Sequence, residues 1–130
     1  MKIAILSNGN ANYSTLRLKE EAEKHGHQVK VIKYKNCYVS IDEQHPKVIY
    51  RGREIGNFDV FIPRIASYMT RYGTAVLRQL EMANPQAFFM NRSITITRAR
   101  DKLRSTQLLA RAGVAIPKTV FSRNETDIDV

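Results

Sequence analysis

The chain has 130 residues, with no tryptophan, one cysteine, four prolines and six glycines. A single cysteine, Cys37, excludes an internal disulfide and any zinc site built from several thiolates. A nucleophilic Cys37 would need a partner base, and His25, His27 and His45 stand in polar or turn-like surroundings without a catalytic pattern. Cys37 therefore reads as a small packing residue. No stretch approaches the roughly 18 apolar residues of a membrane-spanning helix. The apolar run at the N-terminus, Ile3-Ala4-Ile5-Leu6, is too short for the core of a signal peptide, and the expected compartment is the cytoplasm. Internal repeats and low-complexity segments are absent. Acidic residues are few: 12 Asp and Glu against 21 Lys and Arg give a net charge of +9. Such an excess attracts anions. It is spread along the sequence, which excludes a basic nucleic-acid arm at either end.

What is present is an alternation of short apolar runs with helical periodicity. Lys2 to Leu6 reads as a buried strand, followed by the turn cluster Ser7-Asn8-Gly9-Asn10. Ser14 is the expected cap of a helix carrying Leu18 and Ala22, which Gly26 stops. Gln28 to Tyr34 alternates and reads as a second strand, with Val29 and Val31 on one side. Strand, helix and strand in so short a span make a βαβ unit, which implies a parallel sheet. Asn36 to Ile41 reads as irregular chain or a short edge strand, and Val48 to Ile55 as a small hairpin turning at Arg51-Gly52. Asp59 to Pro63 is the expected third core strand, ended by its proline, with Arg64 just past its end. Thr70 to Ala83 fits a helix with Tyr72, Ala75, Val76, Leu80 and Ala83 on its apolar face, closed by Asn84-Pro85. Ala87 to Met90 reads as a fourth strand. A helical stretch from Ser93, bent near Ala99, ends at Gly113, and Lys118 to Phe121 is the expected start of a fifth strand. Ser122 to Val130 is polar and acidic, as in a linker or a frayed tail.

Parallel sheets bind ligands beyond the carboxyl ends of their strands. That rule nominates the loop from Ser7 to Asn12, which holds one glycine and carries no dinucleotide fingerprint. Ser7 and Asn8 there are either hydrogen-bond donors to a substrate or members of a plain turn. Arg64 stands where a guanidinium can grip a carboxylate with two bonds, or where it pairs internally with Asp59 or Glu81. Tyr72 and Thr74 are further candidates for the same mouth. No catalytic residue and no metal ligand is nominated.

Several phrases, in order along the whole chain, resemble the RimK family of ATP-grasp ligases. They are Met1-Lys2-Ile3-Ala4-Ile5-Leu6-Ser7, Asn36-Cys37-Tyr38, Phe58-Asp59-Val60-Phe61-Ile62-Pro63-Arg64-Ile65, Tyr72 to Met82, Arg98-Ala99-Arg100-Asp101-Lys102-Leu103-Arg104-Ser105 and Gln107 to Arg111. The resemblance implies a Rossmann-like pre-ATP-grasp domain over 1–121, α/β with a mostly parallel sheet of about four strands flanked by helices. Residues 122–130 then begin the linker toward an ATP-grasp domain absent from the chain. It also implies ATP-dependent ligation of a carboxylate to an amine through an acyl phosphate, with glutamate added to the C-terminus of a ribosomal protein. ATP and magnesium are the cofactors of the full-length family; none is expected for this chain alone, which is expected to be inactive. Lys102, in the Asp-Lys pair, would reach the ATP phosphates, as a mobile point charge suits; the plainer alternative is a solvated lysine. Asp101 suits a helix start. Arg64 would meet the acidic substrate, with Ser7, Asn8 and Tyr72 beside it. The expected partners are the ATP-grasp domain in cis, an acidic protein C-terminus or free glutamate, and a second copy of the chain; a membrane is not among them. Rival readings are an ATP-grasp ligase with another substrate, a free-standing basic module for acidic peptide or nucleic acid, and a flavodoxin-like nucleotide or receiver domain. The last lacks an acidic cluster at its strand ends.

Overall fold

The computed structural model describes residues 1–9, 12–41, 43 and 45–124. Its elements are β1 (Lys2–Ser7), α1 (Tyr13–Lys24), β2 (Gln28–Lys33), β3 (Cys37–Ser40), β4 (Lys47–Tyr50), β5 (Arg53–Glu54), β6 (Val60–Arg64), α2 (Thr70–Ala83), β7 (Phe88–Phe89), α3 (Ser93–Arg100) and α4 (Lys102–Arg111). Short 3₁₀ turns cover Tyr34–Asn36 and Ser67–Met69. The chain divides into two compact units, Met1–Thr97 and Arg98–Val130.

In the first unit a four-stranded sheet runs β2-β1-β6-β7, every neighbouring pair parallel. It is the α/β architecture expected of the βαβ pattern. β1 is apolar along its length because it lies between two strands and under cover on both faces. Ala4 and Leu6 point to the main core with Ile32, Tyr34, Phe61 and Phe89, where the ridges of α2 supply Val76, Leu77 and Leu80. Phe61 and Phe89 stack with ring centroids 4.7 Å apart. Ile3 and Ile5 are buried from the opposite face, and α1 packs on β1 and β2. On β2 the deepest residue is Ile32, whereas Val29 and Val31 are only half-buried. A second sheet, β3-β4-β5, is antiparallel and lies against α2. Asn36 to Ile41 thus resolves into a 3₁₀ turn and an edge strand. The β4–β5 turn has φ of 52° at Arg51 and 75° at Gly52. Two positive φ values in a two-residue loop are the type I′ hairpin geometry.

Four expectations give way to the geometry. Pro63 does not end β6: it pairs in register with Leu6, and Arg64 pairs with Ser7 as the strand's last residue. Alternate residues of a strand bond to opposite neighbours. The Phe61 carbonyl accepts from Met90 on the β7 side at 3.1 Å. Pro63 faces that same side, where β7 has already ended at Phe89, so its missing N–H costs no ladder bond. Ser14 is not the cap of α1. The N-cap is Asn12, whose carbonyl accepts from the N–H groups of Thr15 and Leu16, and Ser14 stands inside the first turn. The buried side of α2 is Gly73, Thr74, Val76, Leu77, Gln79 and Leu80, leaving Tyr72 and Ala75 exposed. Gly73 turns inward because α2 approaches Ile65 too closely for a side chain. Lys118 to Phe121 forms no strand and exposes Val120 and Phe121.

In the second unit the helical stretch is broken rather than bent. Asp101 is extended and caps α4, its Oδ1 accepting from the Arg104 N–H at 2.9 Å. α4 has no buried residue. Gly113, at φ 74°, follows its last turn. Of the stretch Ser122 to Val130, residues 125–130 lie outside those described.

Candidate functional site

The parallel pairing of β1 with β6 sets Ser7 beside Arg64 at the carboxyl end of the sheet, where the β1–α1 loop departs. Ser7 is fully buried. Its hydroxyl donates to the Gly9 carbonyl at 2.9 Å and shares a hydrogen bond with Thr15 Oγ1 at 3.1 Å. The Gly9 N–H lies 3.5 Å from the same oxygen. One proton and two lone pairs are all a serine hydroxyl has, so Ser7 shapes the loop and holds it to α1. Asn8 is placed differently. Its amide nitrogen donates to the Tyr68 hydroxyl, while its Oδ1 is buried and accepts no hydrogen bond among the described residues. A buried acceptor that finds no donor is costly. Asn10 and Ala11, in the same loop, lie outside the described residues.

Arg64 is exposed, and its guanidinium donates to Ser14 Oγ at 2.8 Å. The internal ion pair is not formed. Asp59 Oδ2 accepts from the Lys2 N–H at 2.6 Å, and the Glu81 carboxylate accepts from the Ser93 N–H and hydroxyl at 2.6 and 2.9 Å. A guanidinium has five N–H groups, so one bond to Ser14 leaves most of the fork for a carboxylate. The start of α1 adds to the same field. Its first turn holds no acidic residue and its N-cap side chain makes no capping bond, so the positive end of the helix is not neutralised.

Tyr72 approaches this region from α2. Its hydroxyl donates to the Cys37 carbonyl, and its ring lines a groove of about 380 Å³ with Tyr68, Met69, Arg71 and Ala75. Tyr68 links that groove to Asn8. Thr74 is buried, its hydroxyl turned to the Thr70 carbonyl of its own helix at 2.7 Å. Ser7, Asn8 and Arg64 are thus brought together at the sheet end, joined by Ser14 and Tyr68, which pattern reading missed. Tyr68 carried a weak signal, an aromatic three residues beyond Ile65 in a loop following a core strand.

Lys102, in the second unit, is the exposed first residue of α4, and its carbonyl accepts from Ser105 and Thr106 hydroxyls. Cys37 is buried, its thiol 3.8 Å from the Lys33 carbonyl, and burial pushes its pKa up to about 11. Such a thiol is a packing group and a poor nucleophile near neutral pH. Among the described residues no group of three or more His, Cys, Asp and Glu is placed to hold a metal ion, and no helix is long and apolar enough to cross a membrane.

A parallel sheet ordered β2-β1-β6-β7 and flanked by helices, with a polar, cationic loop cluster at its carboxyl end, defines a Rossmann-like α/β domain. The chain belongs to the RimK PreATP-grasp domain family, whose profile matches residues 1–96. It is 50% identical over 129 residues to a probable alpha-L-glutamate ligase of Hydrogenovibrio crunogenus. It is 51% identical over 129 residues to one of Thioalkalivibrio sulfidiphilus, and 52% over 128 residues to probable alpha-L-glutamate ligase 1 of Hahella chejuensis. These alignments cover 98–99% of this chain and 42% of each relative, so the chain spans under half their length. Among solved structures, the macrocyclase MdnB of Microcystis aeruginosa MRC superposes with a TM-score of 0.70 at 16% identity. That match covers 97% of this chain and 55% of the other, and it establishes a shared fold.

Proposed function

We propose that this chain is the substrate-side N-terminal domain of a RimK-like ATP-dependent carboxylate–amine ligase. In this reading the whole enzyme works in the cytoplasm and adds glutamate to the C-terminus of a ribosomal protein. The observation that carries it is Arg64: an exposed guanidinium at the sheet end, bonded among the described residues to the Ser14 hydroxyl alone, beside the unneutralised start of α1. That field suits the carboxylate of glutamate or of an acidic chain end. Asn8, whose amide nitrogen meets the Tyr68 hydroxyl, stands beside Arg64 as a second substrate contact in this reading. Ser7 holds the loop that presents Asn8, and Tyr72 walls the adjoining groove.

ATP and magnesium belong to the ATP-grasp region, which acts in cis with this domain. The β1–α1 loop supports that division, since it has a single glycine and lacks the glycine-rich cradle that phosphate-binding loops carry. When bound, ATP activates a carboxylate as its acyl phosphate. This chain's part is to bind and orient the acidic partner, with the Lys102 ammonium available to a phosphate. In this reading the domain taken apart from the ATP-grasp region is not a ligase, and taken apart it would pair with a second copy through the surface that meets that region.

Isothermal titration with a glutamate-ending acidic peptide, and separately with Mg-ATP, tests the reading. The peptide binds and ATP does not. Arg64→Gln weakens the peptide by about tenfold, the value of one charge-assisted carboxylate pair in a partly exposed site. Micromolar ATP binding with no peptide binding would place the nucleotide at this sheet end and overturn the assignment.

A further inference from the structure

A second cationic surface lies on residues that the sheet-end site does not use. A groove of about 360 Å³ is lined by Lys30, Tyr50, Arg51, Arg53, Glu54 and Ile55. Lys30 points outward from the middle of β2, an edge strand of the parallel sheet. Arg53 and Tyr50 are register partners on β5 and β4. Three cations thus converge against one carboxylate, Glu54.

Arg51 supplies an independent argument. It is the one non-glycine residue among those described with a positive φ, 52°, at the first central position of the hairpin turn. Asn, Asp and Gly enter that conformation at little cost, while a long side chain there bears the crowding of its Cβ. Its guanidinium lies 5.3 Å from the centroid of the Tyr50 ring, which holds the charge at the lip of the groove. A cation held at this φ, braced by an aromatic face and set among other cations, points to a role beyond the turn itself. The same contact decides the ligand class. Binding of single-stranded nucleic acid relies on aromatic faces open to base stacking. Here the face of Tyr50 is taken by Arg51, so the groove offers charge and forked donors, which suit carboxylates.

We propose that the groove formed by Lys30, Arg51 and Arg53 is a docking site for an acidic, carboxylate-rich peptide segment. The proposal deepens the functional reading above and rests on it for the identity of the peptide: the groove holds the acidic chain upstream of the end that reacts.

The test is fluorescence anisotropy with fluorescein-labelled octaglutamate, amidated at its C-terminus so that no terminal carboxylate is offered. The full chain is compared with Arg51→Asn and with the triple variant Lys30→Gln, Arg51→Asn, Arg53→Gln. Asparagine relieves the turn, so Arg51→Asn keeps or raises the melting temperature while weakening the peptide about threefold. The triple variant weakens it about tenfold and flattens the salt dependence, as loss of screened ion pairs requires. Unchanged affinity in the triple variant overturns the proposal. So does an oligouridylate of equal charge that binds more tightly than the peptide and is lost in the triple variant. Arg64→Gln keeps the two sites distinct. Loss of octaglutamate in that variant with the hairpin variants silent overturns the hairpin site and leaves the sheet-end reading standing. The reverse pattern supports the hairpin site whatever the fate of the sheet-end reading.

Discussion

Replacing a helical glycine by alanine ordinarily stabilises a protein, by about 1 kcal/mol of helix propensity. At Gly73 the expected sign is opposite. A Cβ built there would lie 2.6 Å from Ile65 Cγ2, 3.2 Å from Cγ1 and 3.3 Å from Cδ1. Ile65 is buried, and its Cγ2 is bonded directly to its Cβ, so it cannot swing away as a chain end can. Overpacking of this kind costs about 1–3 kcal/mol. Set against the propensity gain, Gly73→Ala should destabilise by about 1 kcal/mol, or about 3–5 °C in melting temperature for a chain of this size. Ile65→Ala removes all three opposing atoms and by itself costs about 2–5 kcal/mol. In that background Gly73→Ala should stabilise by about 1 kcal/mol, because the propensity gain returns and the added methyl refills part of the cavity. Urea denaturation of the four proteins, followed by circular dichroism, gives the coupling, about 1–3 kcal/mol. If Gly73→Ala stabilises the native chain, or has the same sign in both backgrounds, the close approach of α2 to Ile65 is refuted.

Cys37 titrates well above the usual thiol range, so the folded state holds its proton more tightly than the unfolded chain. The sign follows: its contribution is fully present below about pH 9 and is lost as pH rises toward about 11. Cys37→Ala should lack this fall between those values, and matching pH–stability profiles for the two proteins would refute it. Glu81→Ala strips the carboxylate from the first N–H and the hydroxyl of Ser93. It should cost about 1–2 kcal/mol and speed amide exchange in the first turn of α3, while Glu81→Gln, which keeps an acceptor, restores most of it.

The parts of the fold that were legible in the sequence are those where one local rule acts alone. β1 shows because both its faces are buried, and α2 shows to the residue because Asn84-Pro85 stops it. The hairpin turn shows because Gly52 supports a positive φ. What was not legible depended on distant partners. Pro63 belongs in β6 only because β7 is two residues long, and no local pattern carries the length of a neighbouring strand. The buried face of α2 is set by Ile65 and the second sheet rather than by hydropathy, so Gly73 lies inside and Tyr72 outside. The topological rule nominated Ser7 and Arg64, and the fold sets the two side by side at the sheet end. The rule did not reveal that Ser7 would be saturated by Thr15 and Gly9, or that Ser14 would turn from cap to partner of Arg64.

The strand order has a consequence for how the chain is made. β1 is the second strand in space but the first synthesised, and its inner neighbour is β6 rather than β2. Lys2 and Asp59, which join the starts of β1 and β6, are separated by 57 positions. At about 5–20 residues per second, a ribosome takes roughly 3–11 s to supply that partner. The β4–β5 hairpin ends at Glu54 and closes in about 1–10 μs once made, so it forms just before β6 emerges. For those seconds Ile3, Ile5 and Leu6 sit on a strand with one edge open and β6 not yet emerged. The nascent chain is at its stickiest while the first half of the domain is outside the ribosome, and the arrival of Val60 to Arg64 ends that exposure.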